Sequence, residues 1–161
     1  MLRIVIAILG FYLLGPIQLT AAAENNNSSS LFSTRFTHGD GEYEISSVRL
    51  PWFKARNLCR SLGKDLVSIE SSAENIAILS AISSFSTESF WSAGTRLYSE
   101  DVNYFYWDST GLSVDSYTNW APGQPDDSHD YVRIWHEYDH QWDAAPHSYE
   151  LLFICEWHPC V

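Results

Sequence analysis

Two segments in the first half of the chain carry apolar residues at helical spacing. From Leu50 to Leu62 the apolar side chains recur three or four positions apart, and Gly63 follows as a stop signal. Ser71, with Glu74 three residues later, forms a capping-box pattern ahead of a second apolar helix face. Residues 65–69 between them alternate apolar and polar positions, which is typical of a half-buried strand. The pattern therefore predicts helix, strand, helix.

The remainder of the chain is strand-like or irregular. Short strands are predicted at Glu42 to Ser46, within the aromatic stretch Phe90 to Trp107, and at residues 132–134 and 152–155. Residues 109–130 combine Gly, Pro, Ser and Asp at high density and form the longest irregular region. Because loops of this length in compact domains are usually functional, we expect the ligand site there.

The N-terminal segment reads as a leader rather than as part of a fold. Arg3, the apolar run Ile4 to Leu14 and the small residues at 21–23 predict a signal peptide over residues 1–23 and therefore secretion. Residues 24–34 predict a flexible polar leader, in which glycosylation sequons start at Asn26 and Asn27. The folded domain is expected over residues 35–161, with no membrane span once the signal is removed.

Charge and aromatic content narrow the possible partners. The chain has 20 acidic and 9 basic residues, a formal net charge of −11, and seven tryptophans. Such a surface repels nucleic acid and anionic membranes and tolerates divalent cations. The many aromatic side chains argue against disorder and for a core of large flat rings.

The three cysteines, at positions 59, 155 and 160, are expected to form disulfides in an oxidising compartment. They allow three single pairings, each of which leaves one thiol over. Cys160 lies next to the C-terminus and is the expected odd residue, either free or linking two chains in a dimer. No metal or redox role is needed to explain them.

A rigid polar turn, Asn119 to Asp126, lies between two aromatic segments. Within it Gln124 and Asp126 flank Pro125 and present an amide and a carboxylate oxygen. Oxygen donors of this kind suit a calcium ion, which takes about 6–8 of them, so the loop alone could supply only part of a site. The alternative is that both side chains simply hold the loop by accepting hydrogen bonds from backbone amides.

An ordered series of motifs across residues 36–156 resembles the C-type lectin-like domain family, in particular its short, secreted invertebrate members. The series is Leu66-Val67-Ser68-Ile69, Phe90-Trp91-Ser92-Ala93-Gly94, Phe105-Tyr106-Trp107, Asn119-Trp120, Gly123-Gln124-Pro125-Asp126, Trp142-Asp143 and Phe153-Ile154-Cys155-Glu156. The resemblance implies an α+β fold with two helices, two small antiparallel sheets and a long ligand loop. It also implies a non-enzymatic protein that binds a glycan or glycoprotein.

The resemblance further implies a calcium ion that chelates two vicinal sugar hydroxyls. Its ligands here would be Gln124, Asp126, Asp130 and Asp143, with His129 an alternative to Asp130 at the third position and Gln124, Asp126 and Asp143 also contacting the sugar. Pro125 is expected to be cis, and the Gln-Pro-Asp order implies a galactose-type preference. Ala144 stands where the family has a carboxylate, so calcium dependence is expected to be weakened.

The resemblance also implies a disulfide between Cys59 and Cys155. The family's usual inner disulfide would lie near Tyr131 and His147, where both cysteines are absent, so we expect packing to replace it. Among the tryptophans, Trp135 and Trp157 do not fall at family core positions and are candidates for exposed contacts.

Two other functions compete with a calcium-dependent lectin. One is a calcium-independent C-type lectin-like protein that binds a protein partner. The other is a zinc peptidase, because His136-Glu137-Tyr138-Asp139-His140 matches a two-histidine zinc motif that requires a helix. The flanking residues favour strand and turn, so we expect a chance match and no enzyme.

Overall fold

The computed structural model of the chain describes residues 31–97, 99, 101 and 104–157. The expected signal peptide, the sequons at Asn26 and Asn27 and the odd cysteine Cys160 lie outside these residues. The helices of the described part are α1 (Trp52–Ser61), α2 (Ser72–Ala81) and a 3-10 turn at His136–Tyr138. Its strands are β1 (Phe32–His38), β2 (Gly41–Ser46), β3 (Asp65–Leu66), β4 (Phe90–Thr95), β5 (Tyr106–Trp107), β6 (Tyr131–Trp135), β7 (Gln141–Ala145) and β8 (Leu152–Trp157).

The strands pair in the order β1-β2-β8-β4-β6-β7, with β3 beside β8 and β5 beside β4. The α+β prediction is confirmed, but the two expected antiparallel sheets are joined. Strand β8 pairs with β2 in antiparallel fashion and with β4 in parallel, so one mixed sheet runs through the domain. Periodicity could not show this join, because it depends on which strands become neighbours.

Strand β1 begins at Phe32, inside the segment that composition assigned to the polar leader. Its polar residues face outward on an edge strand, while Phe36 stacks on Tyr43 of β2 with ring centroids 4.8 Å apart. Arg35 also pairs with Glu44 across the same two strands. The leader therefore gives way to folded chain earlier than its serine-rich composition suggested.

Helix α1 packs on the sheet through Trp52, Ala55 and Cys59, part of the predicted apolar face, whereas Leu62 after its last turn is 37% exposed. Gly63 follows with a φ of 72°, a left-handed conformation that glycine adopts without a steric penalty. Cys59 is bonded to Cys155 of β8, which confirms the pairing implied by the resemblance. The disulfide thus ties the first helix to the central strand.

Helix α2 begins as its capping pattern predicted. The Ser71 hydroxyl accepts a hydrogen bond from the Glu74 N–H at 3.1 Å. The Glu74 carboxylate accepts from the Glu70 N–H at 2.8 Å and from the Tyr43 hydroxyl at 2.8 Å. Glu74 therefore both supports the helix terminus and connects it to β2.

A buried carboxyl lies next to this contact. Glu156 is 3% exposed, and its Oε2 accepts from the Ser68 N–H at 3.0 Å. Burial, together with the nearby charge of Glu74, raises the pKa of Glu156 from an ordinary 4.5 to about 8. Because the folded state holds this proton more tightly than the unfolded state, the contribution of Glu156 to stability is fully present below pH 4.5. It is lost as the pH rises through about 8.

An aromatic group occupies the place of the missing inner disulfide. Tyr131 of β6 and His147 lie with ring centroids 5.7 Å apart, and Phe53 of α1 contacts both rings at 5.5 Å. The prediction that packing replaces the bridge is confirmed. Three ring contacts hold the start of β6 against the segment between β7 and β8.

Candidate functional site

The turn Asn119 to Asp126 is anchored to the edge strand β7. Trp142 donates its N–H to the Asn119 carbonyl at 2.7 Å, and Ala121 donates to the Trp142 carbonyl at 2.8 Å. The Trp120 ring also packs against Trp142, with centroids 5.8 Å apart. Residues 108–130 otherwise contain only turns and isolated bridges, so these contacts fix the loop on the sheet.

The Gln124–Pro125 bond is cis, as the resemblance implied. The Gln124 Oε1 accepts hydrogen bonds from the Asp126 N–H at 3.1 Å and the Ala144 N–H at 3.0 Å. The Asp126 Oδ1 accepts from the Ser128 N–H at 2.9 Å. Both oxygen donors therefore hold the loop through backbone amides, which was the alternative to a ligand role.

The two candidates for the third ligand position face different partners. His129 lies beside the loop carboxylate, with its Nδ1 3.7 Å from the Asp126 Oδ1. The Asp130 Oδ1 instead accepts from the Arg96 Nε at 2.9 Å, and the Asp130 carbonyl accepts from the Arg96 N–H. The side chain next to Asp126 is therefore an imidazole, a poor ligand for a hard cation.

Asp143 is bound by an arginine on the neighbouring strand. Arg133 of β6 lies directly opposite Asp143 of β7, and its Nε and Nη2 reach both carboxylate oxygens, the Nε at 2.8 Å. Asp143 is only 4% exposed. Burial raises the pKa of the Asp143 carboxyl, and the arginine charge opposes that shift. The result is a buried, bidentate ion pair beside the loop.

The sequence comparisons assign this domain to a family. The family model described as the lectin C-type domain matches residues 48–157. The chain belongs to the C-type lectin domain family. It is 31% identical over 122 residues to C-type lectin 37Db of Drosophila melanogaster, covering 73% of this chain and 78% of that protein. Lectin domains of this kind are non-enzymatic carbohydrate-binding modules, and the chain is not an enzyme.

Other similar proteins agree with this assignment. Lectin subunit alpha of Sarcophaga peregrina is 27% identical over 125 residues, which are 71% of this chain and 44% of that protein. The chain thus spans less than half of that relative. The structure of TC14, a C-type lectin from the tunicate Polyandrocarpa misakiensis, superposes with a TM-score of 0.67 at 26% identity, covering 75% of this chain and all of that one.

The two histidines of the zinc motif do not lie on one α-helix in this lectin domain. His136 lies in the 3-10 turn and His140 follows it in a left-handed conformation, so the two histidines do not share an α-helix. The His136 Nδ1 contacts the Ser89 hydroxyl at 2.9 Å, and the His140 Nε2 contacts the Glu88 carbonyl at 3.1 Å. The prediction of strand and turn is confirmed.

Three of the four expected calcium ligands, Gln124, Asp130 and Asp143, are already engaged by other protein groups. Among the described residues, no group of three or more His, Cys, Asp or Glu side chains is placed to hold a metal. Gln124 is engaged by backbone amides, and two arginines pair with Asp130 and Asp143. Calcium needs about 6–8 oxygens, so it would have to break these contacts.

Sequence reasoning missed both arginines. Arg133 is the middle residue of the strand predicted at 132–134, and Arg96 follows the aromatic motif at residues 90–94. A signal was present for one of them, because the family register places the strand with Trp142-Asp143 beside the strand that contains Arg133. A cation directly opposite an expected calcium ligand on a neighbouring strand indicates a cross-strand ion pair.

Within the described residues, no helix has the length and apolar character needed to cross a bilayer.

Proposed function

We propose that this C-type lectin domain binds glycans without calcium in its Gln-Pro-Asp loop. The observation that carries the proposal is the ion pair between Arg133 and Asp143. The guanidinium supplies the positive charge that a calcium ion would bring to this carboxylate, and it reaches both oxygens. With Asp143 neutralised, the loop keeps its shape through protein contacts alone.

A weak calcium site and the arginine contact involve free energies of similar size. An extracellular calcium module with a dissociation constant of about 10⁻⁴–10⁻³ M gains roughly 4 to 5.5 kcal/mol from calcium. Separating a buried ion pair costs about 3–5 kcal/mol, and the Arg133 and Asp143 side chains are only 14% and 6% exposed. Calcium would have to displace Arg133 from Asp143, and the loss of this contact would lower the calcium affinity.

The galactose-type preference does not transfer to a calcium-free loop. In the family that preference depends on calcium chelating two sugar hydroxyls, with the amide and carboxylate completing the hydrogen bonds. Here the Gln124 oxygen is taken up by two N–H groups, although the Asp126 side chain is 38% exposed. We therefore propose glycan binding with no set preference between galactose and mannose.

We also propose that the protein is secreted. The charged start, apolar run and small residues of 1–23 support export, and the Cys59–Cys155 disulfide suits an oxidising compartment. Expression of the full chain in insect cells should place protein that lacks residues 1–23 in the medium. Full-length protein retained with the cells would contradict secretion.

A glycan array run on the purified domain tests calcium-free binding. The array is read in buffer with 2 mM CaCl₂ and again with 2 mM EGTA, using TC14 as a matched C-type lectin. We expect the same glycans to be bound with the same intensity in both buffers. Loss of all binding in EGTA would contradict the proposal, whereas absence of glycan binding in both buffers would favour the alternative of a protein partner.

A further inference from the structure

Four side chains at the β6–β7 hairpin form a continuous stack, which we call the aromatic ladder. It consists of Tyr138, Trp135, Arg133 and Tyr149, in that spatial order. The Tyr138 and Trp135 rings lie 4.4 Å apart at an interplanar angle of 31°. The Arg133 guanidinium lies 4.9 Å from the Trp135 ring and 5.7 Å from the Tyr149 ring.

Contacts with neighbouring residues hold the aromatic ladder in place. Arg133 is fixed by both oxygens of Asp143, and its planar group can then stack on a ring at either side. The hairpin end is held by a further contact, since the His136 N–H donates to the Ser89 hydroxyl at 3.2 Å. The order of the ladder therefore comes from the fold itself and does not require a ligand.

The outer rungs of the ladder face solvent. Tyr138 is 42% exposed and Tyr149 is 46% exposed, and Trp135 is partly exposed between them. Neither tyrosine is needed to fill the buried core. Exposed aromatic side chains grouped with an arginine mark interaction surfaces on soluble proteins.

We propose that the aromatic ladder binds neutral saccharides, with pyranose rings lying against its aromatic faces. This inference rests on the proposed calcium-free glycan binding and gives it a location beside the loop. A pyranose presents a face of C–H groups that packs on a flat ring, and its hydroxyls can reach the donors of Arg133 that Asp143 leaves unused. A guanidinium has five N–H donors.

The charges around the ladder select the class of ligand. The charge of Arg133 is cancelled by Asp143, so the stack has no net charge of its own. Exposed acidic residues adjoin it in sequence, namely Glu137, Asp139 and Glu150. They disfavour sulfated or uronic saccharides. A second copy of the chain would bring the same acidic residues to the contact, which disfavours it as the occupant.

The test measures binding of three neutral polysaccharides, yeast mannan, laminarin and larch arabinogalactan, in 2 mM EGTA, with dextran sulfate as the anionic comparison. The variants are Tyr138→Ser, Tyr149→Ser and their double combination. Tyr104→Ser is the matched control, because Tyr104 is 45% exposed and lies in a different loop. Trp135→Leu is compared with Trp157→Leu, since Trp157 is 38% exposed on β8.

We expect wild-type protein to bind at least one neutral polysaccharide, and each tyrosine replacement to weaken that binding about tenfold. Tyr104→Ser and Trp157→Leu should stay within about twofold of wild type. The indole N–H resonance of Trp135, assigned by its loss in Trp135→Leu, should shift when the polysaccharide is added. Circular dichroism and thermal melting of every variant establish that the loss is not unfolding.

Four results would overturn this proposal. If wild type binds in EGTA and the ladder variants bind equally well, glycan binding stands and its location is wrong. If dextran sulfate binds more tightly than the neutral polymers through the same residues, the ligand class is wrong. If Tyr149→Ser instead abolishes a dimer seen by sedimentation, the face is an interface between copies. Failure of wild type to bind any polysaccharide without calcium would refute the proposed function as well.

Discussion

A double-mutant cycle can measure the coupling free energy between Arg133 and Asp143. Asp143→Asn leaves the guanidinium without its carboxylate, and Arg133→Gln leaves a 4%-exposed carboxylate without its cation. Removing one member of a buried pair costs about 3–5 kcal/mol, because the other charge stays desolvated. We therefore expect each single variant to lose roughly 3 kcal/mol of unfolding free energy.

The double variant Arg133→Gln with Asp143→Asn removes both charges and should be less destabilised than the sum of the two single variants. The expected coupling is about 2 kcal/mol or more. Equilibrium urea unfolding, followed by tryptophan fluorescence with the disulfide intact, measures all four free energies.

The exposed pair Arg49–Glu88, whose side chains are 52% and 26% exposed, is the matched control and should couple by less than about 1 kcal/mol. If the Arg133–Asp143 coupling were no larger than that of this surface pair, the arginine would not be holding the carboxylate. The reasoning against calcium would then fail.

Three further changes probe the fold. In wild type the free energy of unfolding should fall by roughly 1 kcal/mol per pH unit between pH 5 and 8, and Glu156→Gln should abolish this pH dependence in urea midpoints. An unchanged pH slope would mean that another group is responsible. Replacing Cys59 and Cys155 together by Ala removes a disulfide that links residues 96 positions apart, and should lower the free energy of unfolding by up to about 4–5 kcal/mol. An unchanged urea midpoint would mean that the disulfide adds no stability. Ser71→Ala should cost about 1 kcal/mol, and Ser71→Asn should restore most of it, because asparagine also caps helices; equal losses for both would contradict the cap.

The helices were predictable because their signals are local. The apolar spacing around Cys59 and the Ser71–Glu74 cap lie within a few residues of each other, so the sequence alone determines which residues form each helix. Strand β1 was not predicted, because Ser33 and Thr34 continue a polar, low-complexity stretch. Its strand conformation comes from pairing with β2, which composition does not reveal.

The candidate site was only partly predictable for a similar reason. Its loop and cis proline came from a contiguous motif. The partners of its side chains came from strand register, which brings together Arg133 and Asp143, ten residues apart. The choice between His129 and Asp130 depended on which way the chain enters β6. Strand pairing therefore determines which cations lie against the carboxylates of the candidate site, and no local sequence pattern contains that information.

A calcium titration of the wild-type domain tests the central claim most directly. Isothermal titration to about 5 mM CaCl₂ is compared with a variant rebuilt toward the family pattern, His129→Glu with Arg133→Gln and Ala144→Asp. The rebuilt variant removes the competing guanidinium and adds two carboxylates, so it should bind one calcium ion at about 10⁻³ M or tighter. Wild type should give no saturable heat and no shift in melting temperature. Saturable calcium binding by wild type, lost in Asp143→Asn, would contradict the account.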